Sequence, residues 1–102
     1  MTYPNNTLKQ YSTKVKDTAY AIASDFTSNG EFWCLRDFMY DQKDRIQFWA
    51  CDIWDNVDPM LQLEIAPTVD LGRETVVRQL EKAVIQQCLN QDCDLLLAMV
   101  YR

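Results

Sequence analysis

The chain has no histidine, only two glycines and three prolines, and no apolar run longer than the seven residues from Leu95 to Tyr101. Each shortage excludes something. Without histidine there is no Ser-His-Asp or Cys-His nucleophile and no His-ligated metal. So few glycines and prolines leave no material for a collagen repeat, a low-complexity linker or a glycine-rich phosphate loop. An apolar run that short falls well below the roughly 20 residues of a membrane span. The stretch from Met1 to Lys9 is polar and lacks the apolar core of a secretory signal. The expectation is a cytoplasmic protein with no membrane contact, in which the Asn5-Asn6-Thr7 sequon has no role.

What is present is an ordinary globular composition, 48% apolar over 102 residues. That length predicts a single domain, 1–102, with residues 1–6 as an N-terminal tail. The formal charge is −5, from 15 acidic and 10 basic side chains. Such a balance argues against direct nucleic-acid binding, which draws its affinity from Lys and Arg. The charge is also unevenly placed. Residues 1–30 carry +1, residues 71–102 carry 0, and residues 31–70 carry −6, so the middle of the chain holds the whole excess. Eleven of the acids are aspartates, which form helix less readily than glutamate.

Apolar periodicity predicts an all-α fold. Leu8, Tyr11, Val15, Ala19, Ile22 and Phe26 recur at spacings of three and four, which places helix 1 at about 7–28, stopped by Ser28-Asn29-Gly30. Segment 31–57 is rich in aromatics, which favours strand, with Asp41-Gln42-Lys43-Asp44 as the turn of a hairpin. Read as a helix, however, it puts Phe32, Leu35, Met39, Ile46, Ala50, Ile53 and Val57 within an arc of about 60°. Asp37, Asp41, Asp44, Asp52 and Asp55 then fall within about 80° on the other side. A strand would mix the two classes, so one long helix over 31–57 is the better reading. Asp58-Pro59 reads as an N-cap and first-turn proline, although 60–66 alternates like a short strand. Asp70 is placed as the cap of a third long helix, 71–89, with Val77, Leu80, Val84 and Cys88 inward and Glu74 paired to Arg78. A short C-terminal helix follows. The alternative is an α+β fold with strands in 31–66 and 95–101.

The four cysteines, Cys34, Cys51, Cys88 and Cys93, show no C-x-x-C spacing. Without histidine a zinc site would need all four. They read as small apolar residues, and neither a metal nor a cofactor is expected. No calcium-loop pattern occurs among the aspartates. Catalytic carboxylates need a pocket and unequal environments, and nothing in the sequence supplies either, so the chain does not read as an enzyme.

The acidic stripe runs for about 27 Å along the expected helix, and it is not purely acidic. Trp33, Tyr40 and Phe48 lie on or beside it, away from the apolar stripe. A solvated helix face rarely carries large aromatics among its aspartates, whereas aromatic anchors ringed by charge are how interface hot spots are built. The candidate partner-binding residues are therefore Trp33, Asp37, Tyr40, Asp41, Asp44, Phe48, Asp52 and Asp55. The expected function is non-enzymatic protein binding, as an inhibitor or adaptor that docks this face on a basic surface. Small acidic His-free helical proteins of this style are similar to toxin-immunity and phage anti-defence proteins. Those block a basic, nucleic-acid-handling surface, some of them as a nucleic-acid mimic that presents carboxylates at phosphate-like spacing. A homodimer would use the same aromatics.

Cys34-Leu35-Arg36-Asp37-Phe38-Met39-Tyr40 resembles the C-x-R-D-x-x-Y stretch around the chromophore cysteine of the phycobiliproteins. That resemblance, over seven residues, implies an alternative function. Cys34 would bond a bilin-like or other apolar ligand, and Arg36 and Asp37 would hold its propionate and pyrrole nitrogens. The overlapping Trp33–Phe38 stretch is similar to a W-x-L-x-D-F stretch of the cyanobacterial fluorescence recovery protein family.

Overall fold

Gly72, Val76, Leu80, Val84 and Cys88 are all buried and are spaced four residues apart along one helix. At 100° per residue such a stripe winds by about 160° over its length. One helix can then serve several neighbours in turn. A computed structural model of the protein describes residues 5–29 and 35–91, and the side chains within 7–26 and 35–90. It contains α1 (Asn5–Asn29), α2 (Leu35–Asp41), α3 (Lys43–Asp55), α4 (Pro59–Ile65) and α5 (Val69–Gln91), with no strand among the described residues. The winding stripe belongs to α5, which packs against all four other helices.

Polar pairings fix the directions. Asp25, near the end of α1, pairs with Arg45, near the start of α3, while Tyr11 and Lys14 share a cleft with Ile53 and Asn56 at the opposite end. Helices α1 and α3 are therefore antiparallel. Asp55 pairs with Arg73 at 3.2 Å, and Gln47 shares a groove with Val77, so α3 and α5 are antiparallel as well. The result is an up-down-up bundle of three long helices, 46 × 24 × 22 Å, with α2 and α4 at opposite ends. The Tyr11 hydroxyl donates to the Gln79 side-chain carbonyl and ties α1 to α5. Phe26 of α1 and Phe38 of α2 meet edge to face, with centroids 4.9 Å apart. The core is wholly apolar: no polar or charged residue is buried among those described.

Several expectations are corrected in detail. Segment 31–57 is not one helix, because Gln42 parts α2 from α3. Neither Gly nor Pro sits at this joint. A polar network does: Arg45 reaches from its pair with Asp25 to Gln42 Oε1 at 3.2 Å, and Gln42 donates to Asp41 Oδ2 at 2.9 Å. Residues 60–66 do not form a strand. Asp58 accepts from the Met60 N–H at 2.9 Å and Pro59 opens α4, so capping outweighs the alternation. Ala66 then turns extended at φ −160°, ψ 151°, as a residue before proline prefers. Thr68, not Asp70, caps α5: its hydroxyl accepts from the Leu71 N–H at 3.2 Å. Asp70 lies in the first turn, where its charge complements the helix dipole. Val76 occupies the core position expected for Val77, which is half-buried, and Leu8 is exposed. The Glu74–Arg78 pair forms as expected, at 2.6 Å. Gly30, Phe32 and the expected C-terminal element, including the alternative strand 95–101, lie outside the described residues.

The tightest contact in the fold lies between α3 and α5. Trp54 is 3% exposed, and a Cβ placed on Gly72 would stand 2.3 Å from its ring carbons Cη2 and Cζ2. In an open helix Gly→Ala stabilises by about 1 kcal/mol. Here Gly72→Ala is expected to destabilise by on the order of 2 kcal/mol, since the buried indole must move. In a Trp54→Leu background the penalty should disappear; urea unfolding of the four proteins checks this cycle.

Burial also sets an alkaline limit. Cys88 is fully buried, which pushes its thiol from 9.0 up to about 11. Between pH 9 and pH 11 the unfolded chain releases a proton that the folded chain retains. The contribution is thus complete below pH 9 and is lost as pH rises through that window. Burial raises the Tyr11 hydroxyl in the same direction. Thermal melts are expected to fall across this window, and Cys88→Ala should make the fall shallower.

Candidate functional site

The joint at Gln42 divides the acidic stripe in two. Asp37, Tyr40 and Asp41 belong to α2; Asp44, Phe48, Asp52 and Asp55 belong to α3. Trp33 and Cys34 lie outside the described residues. On α3 the spacing of Asp44, Phe48 and Asp55 gives one outward row, opposite the buried Ile46, Ala50 and Ile53. Tyr40 is 82% exposed and Phe48 65%. Phe48 is nevertheless oriented: its ring meets that of Trp49 edge to face, with centroids 5.3 Å apart and planes at 83°. Trp49 is half-buried in a groove beside Ala21, Ile22 and Arg45, so the exposed ring rests on an anchored one.

The carboxylates are not equivalent. Asp55 is engaged by Arg73, whose guanidinium is pushed further toward its charged form by that hydrogen bond and by the aspartate's charge. Asp41 accepts from Gln42 at 2.9 Å. No ion pair forms at Asp41, Asp44 or Asp52 among the described residues. Asp52 is half-buried and turns toward α1. Arg36 and Asp37 are both exposed on α2.

Asp52 borders a feature that sequence reading misses, a cleft of about 630 Å³ between α1, the end of α3 and α4. Its floor is Tyr11, Ile53, Val57 and Leu61. Lys14 stands on the α1 wall, and Asp52, Asn56 and Asp58 stand on the other. One signal was available: Asp52 and Asp55 occupy the last turn of α3, which has no basic residue. That is the wrong end of a helix dipole for carboxylates.

Elsewhere the chemistry is sparse. Among the described residues no three metal-ligating side chains come together. Cys51 is half-buried in a small groove with Gln47, Arg73 and Val77, and Cys88 is sealed in the core. No described helix is long and apolar enough to cross a membrane. No family model, no curated protein and no solved structure matches the chain.

The exposure of the face has a consequence for stability. Asp41→Lys combined with Asp44→Lys should shift unfolding free energy by no more than about 0.5 kcal/mol, as for surface sites. Phe48→Ala should cost no more than about 1 kcal/mol, the worth of its ring pair with Trp49. Thermal and urea melts of the isolated protein check both, and a larger loss would place these side chains in the fold's own support.

Proposed function

We propose that the protein is a non-enzymatic binding protein, an inhibitor or adaptor, and that the outward face of α2 and α3 docks on a basic surface of a protein partner. One observation carries this reading. Phe48, largely exposed yet held edge to face on Trp49, projects between Asp44 and Asp52, carboxylates that form no ion pair among the described residues. A rigid, pre-oriented aromatic loses little freedom on binding and serves as an anchor. Unpaired carboxylates around it would steer a positively charged surface during encounter. Asp55 takes a lesser part in this division, because Arg73 already holds it. Tyr40, still more exposed, extends the same surface onto α2. A partner of this kind is basic; a nucleic-acid-handling surface is the form such basicity commonly takes.

The test uses a photo-crosslinking phenylalanine at position 48, with one at Leu63 as control, since Leu63 is also strongly exposed but lies on α4. In the cells that make the protein, position 48 is expected to yield one defined adduct with a basic protein, and Leu63 none. The yield should fall as salt rises, because exposed charge pairs are screened, and fall again with Asp41→Lys and Asp44→Lys. Equal adducts at both positions, or a yield indifferent to salt, would remove the face from function. An adduct of twice the chain mass would replace the basic partner with a second copy of the protein.

A further inference from the structure

The cleft between α1, α3 and α4 has a hydrogen-bonding polarity of its own. Asn56 spends one side-chain N–H on the Asp52 carbonyl at 2.8 Å, leaving its second N–H and its Oδ1. Tyr11 spends its hydroxyl proton on Gln79, leaving the oxygen lone pairs. Asp58 accepts the Met60 N–H with one oxygen and keeps the other. Asp52 has both carboxylate oxygens, with no ion pair among the described residues. The tyrosine's donor is thus consumed internally, and apart from one Asn56 N–H these groups offer the cleft acceptors, while the donors of Thr7, Gln10 and Lys14 stand on the α1 side. Electrostatics point the same way. Two carboxylates face one ammonium across the cleft, and the carbonyl end of α3 adds negative potential beside Asp52. Beneath them lies an apolar floor, in a volume typical of small-molecule sites.

We infer that this cleft binds an organic cation, an ammonium or guanidinium head on an apolar stem. The head would donate to Asp52, Asn56 and Asp58, and the stem would lie over Ile53, Val57 and Leu61. Lys14 opposes the charge from the α1 wall and so sets a limit on affinity. Both a free amine and the side chain of an Arg or Lys on another protein carry this chemistry. The cleft shares Asp52 with the face at Phe48, while Asn56, Asp58 and the apolar floor belong to the cleft alone.

The probe is n-butylguanidinium, titrated into the whole protein and followed by NMR. Saturable shifts are expected for the Ile53, Val57 and Leu61 methyls and the Asn56 side-chain amide, with a dissociation constant of order millimolar for so small a ligand. n-Butanol, which has the stem without the charge, should give none that saturate in that range. Asp52→Asn keeps the shape of the side chain and should weaken binding about tenfold, whereas Lys14→Ala should tighten it. Shifts that do not saturate, that n-butanol reproduces, or that Asp52→Asn leaves unchanged while the variant melts like wild type would overturn the site. The crosslink at position 48 separates the two sources. A yield lowered by Asn56→Ala, which leaves Asp44 and Asp52 in place beside Phe48, assigns the cation to a partner side chain; a normal yield with n-butylguanidinium binding lost assigns it to a free molecule.

Discussion

The indole of Trp54 lies on the backbone of α5 at Gly72, closer than any side chain there would allow. Its sequence neighbours reinforce the contact: Asp55, next to Trp54, pairs with Arg73, next to Gly72. The carbonyl of Trp54 accepts the Gln62 side-chain amide at 2.8 Å, so the same residue also holds α4. An aromatic of this size buries more apolar area than any aliphatic residue, and the missing Cβ lets it approach the helix axis. The end of α3, the turn through α4 and the start of α5 are set by this one junction. From it the stripe of α5 winds onward, each residue four places along turned 40° further. That rotation lets a single helix pack on all the others.

A core built this way has no room for polarity. Every carboxylate whose side chain is described is exposed or half-buried, and the burial of Cys88 pushes its thiol away from reactivity. Chemistry is displaced to the surface, where Asp37, Asp41, Asp44, Asp52, Asp55 and Asp58 of α2, α3 and the start of α4 stand exposed or half-buried. Exposed charges of one sign repel, and the fold answers some of them, pairing Asp25 with Arg45 and Asp55 with Arg73. Asp44 and Asp52 receive no such answer among the described residues.

Asp52 therefore sits where two surfaces meet. It belongs to the acidic row of α3 by sequence spacing and to the cleft by orientation. Its position in the last turn of its helix is unfavourable for the helix itself. Such a local conflict, kept on the edge of a cleft with an apolar floor, is one that the proposed cation would relieve.

Apolar spacing alone marks which faces of α1 and α3 turn inward and which turn outward. Spacings of three and four name Val15, Ala19, Ile22 and Phe26 on α1 and Ile46, Ala50 and Ile53 on α3, and those residues are buried. The separation of aspartates from apolar residues rejects the hairpin over 35–57, and it puts Tyr40 and Phe48 outside. Periodicity is a property of one helix, so it reads burial without knowing the neighbour. Which helices meet is fixed by contacts between residues far apart along the chain. The joint at Gln42 has no glycine or proline to announce it; it lies where Arg45 is drawn to Asp25, twenty residues earlier. The fit of Gly72 to Trp54 and the cleft joining Tyr11 to Asp52 likewise pair residues that are distant along the chain. No local pattern encodes a contact whose two halves lie on different helices, and the cleft becomes one only where Tyr11 and Lys14 of α1 face the stretch 52–61.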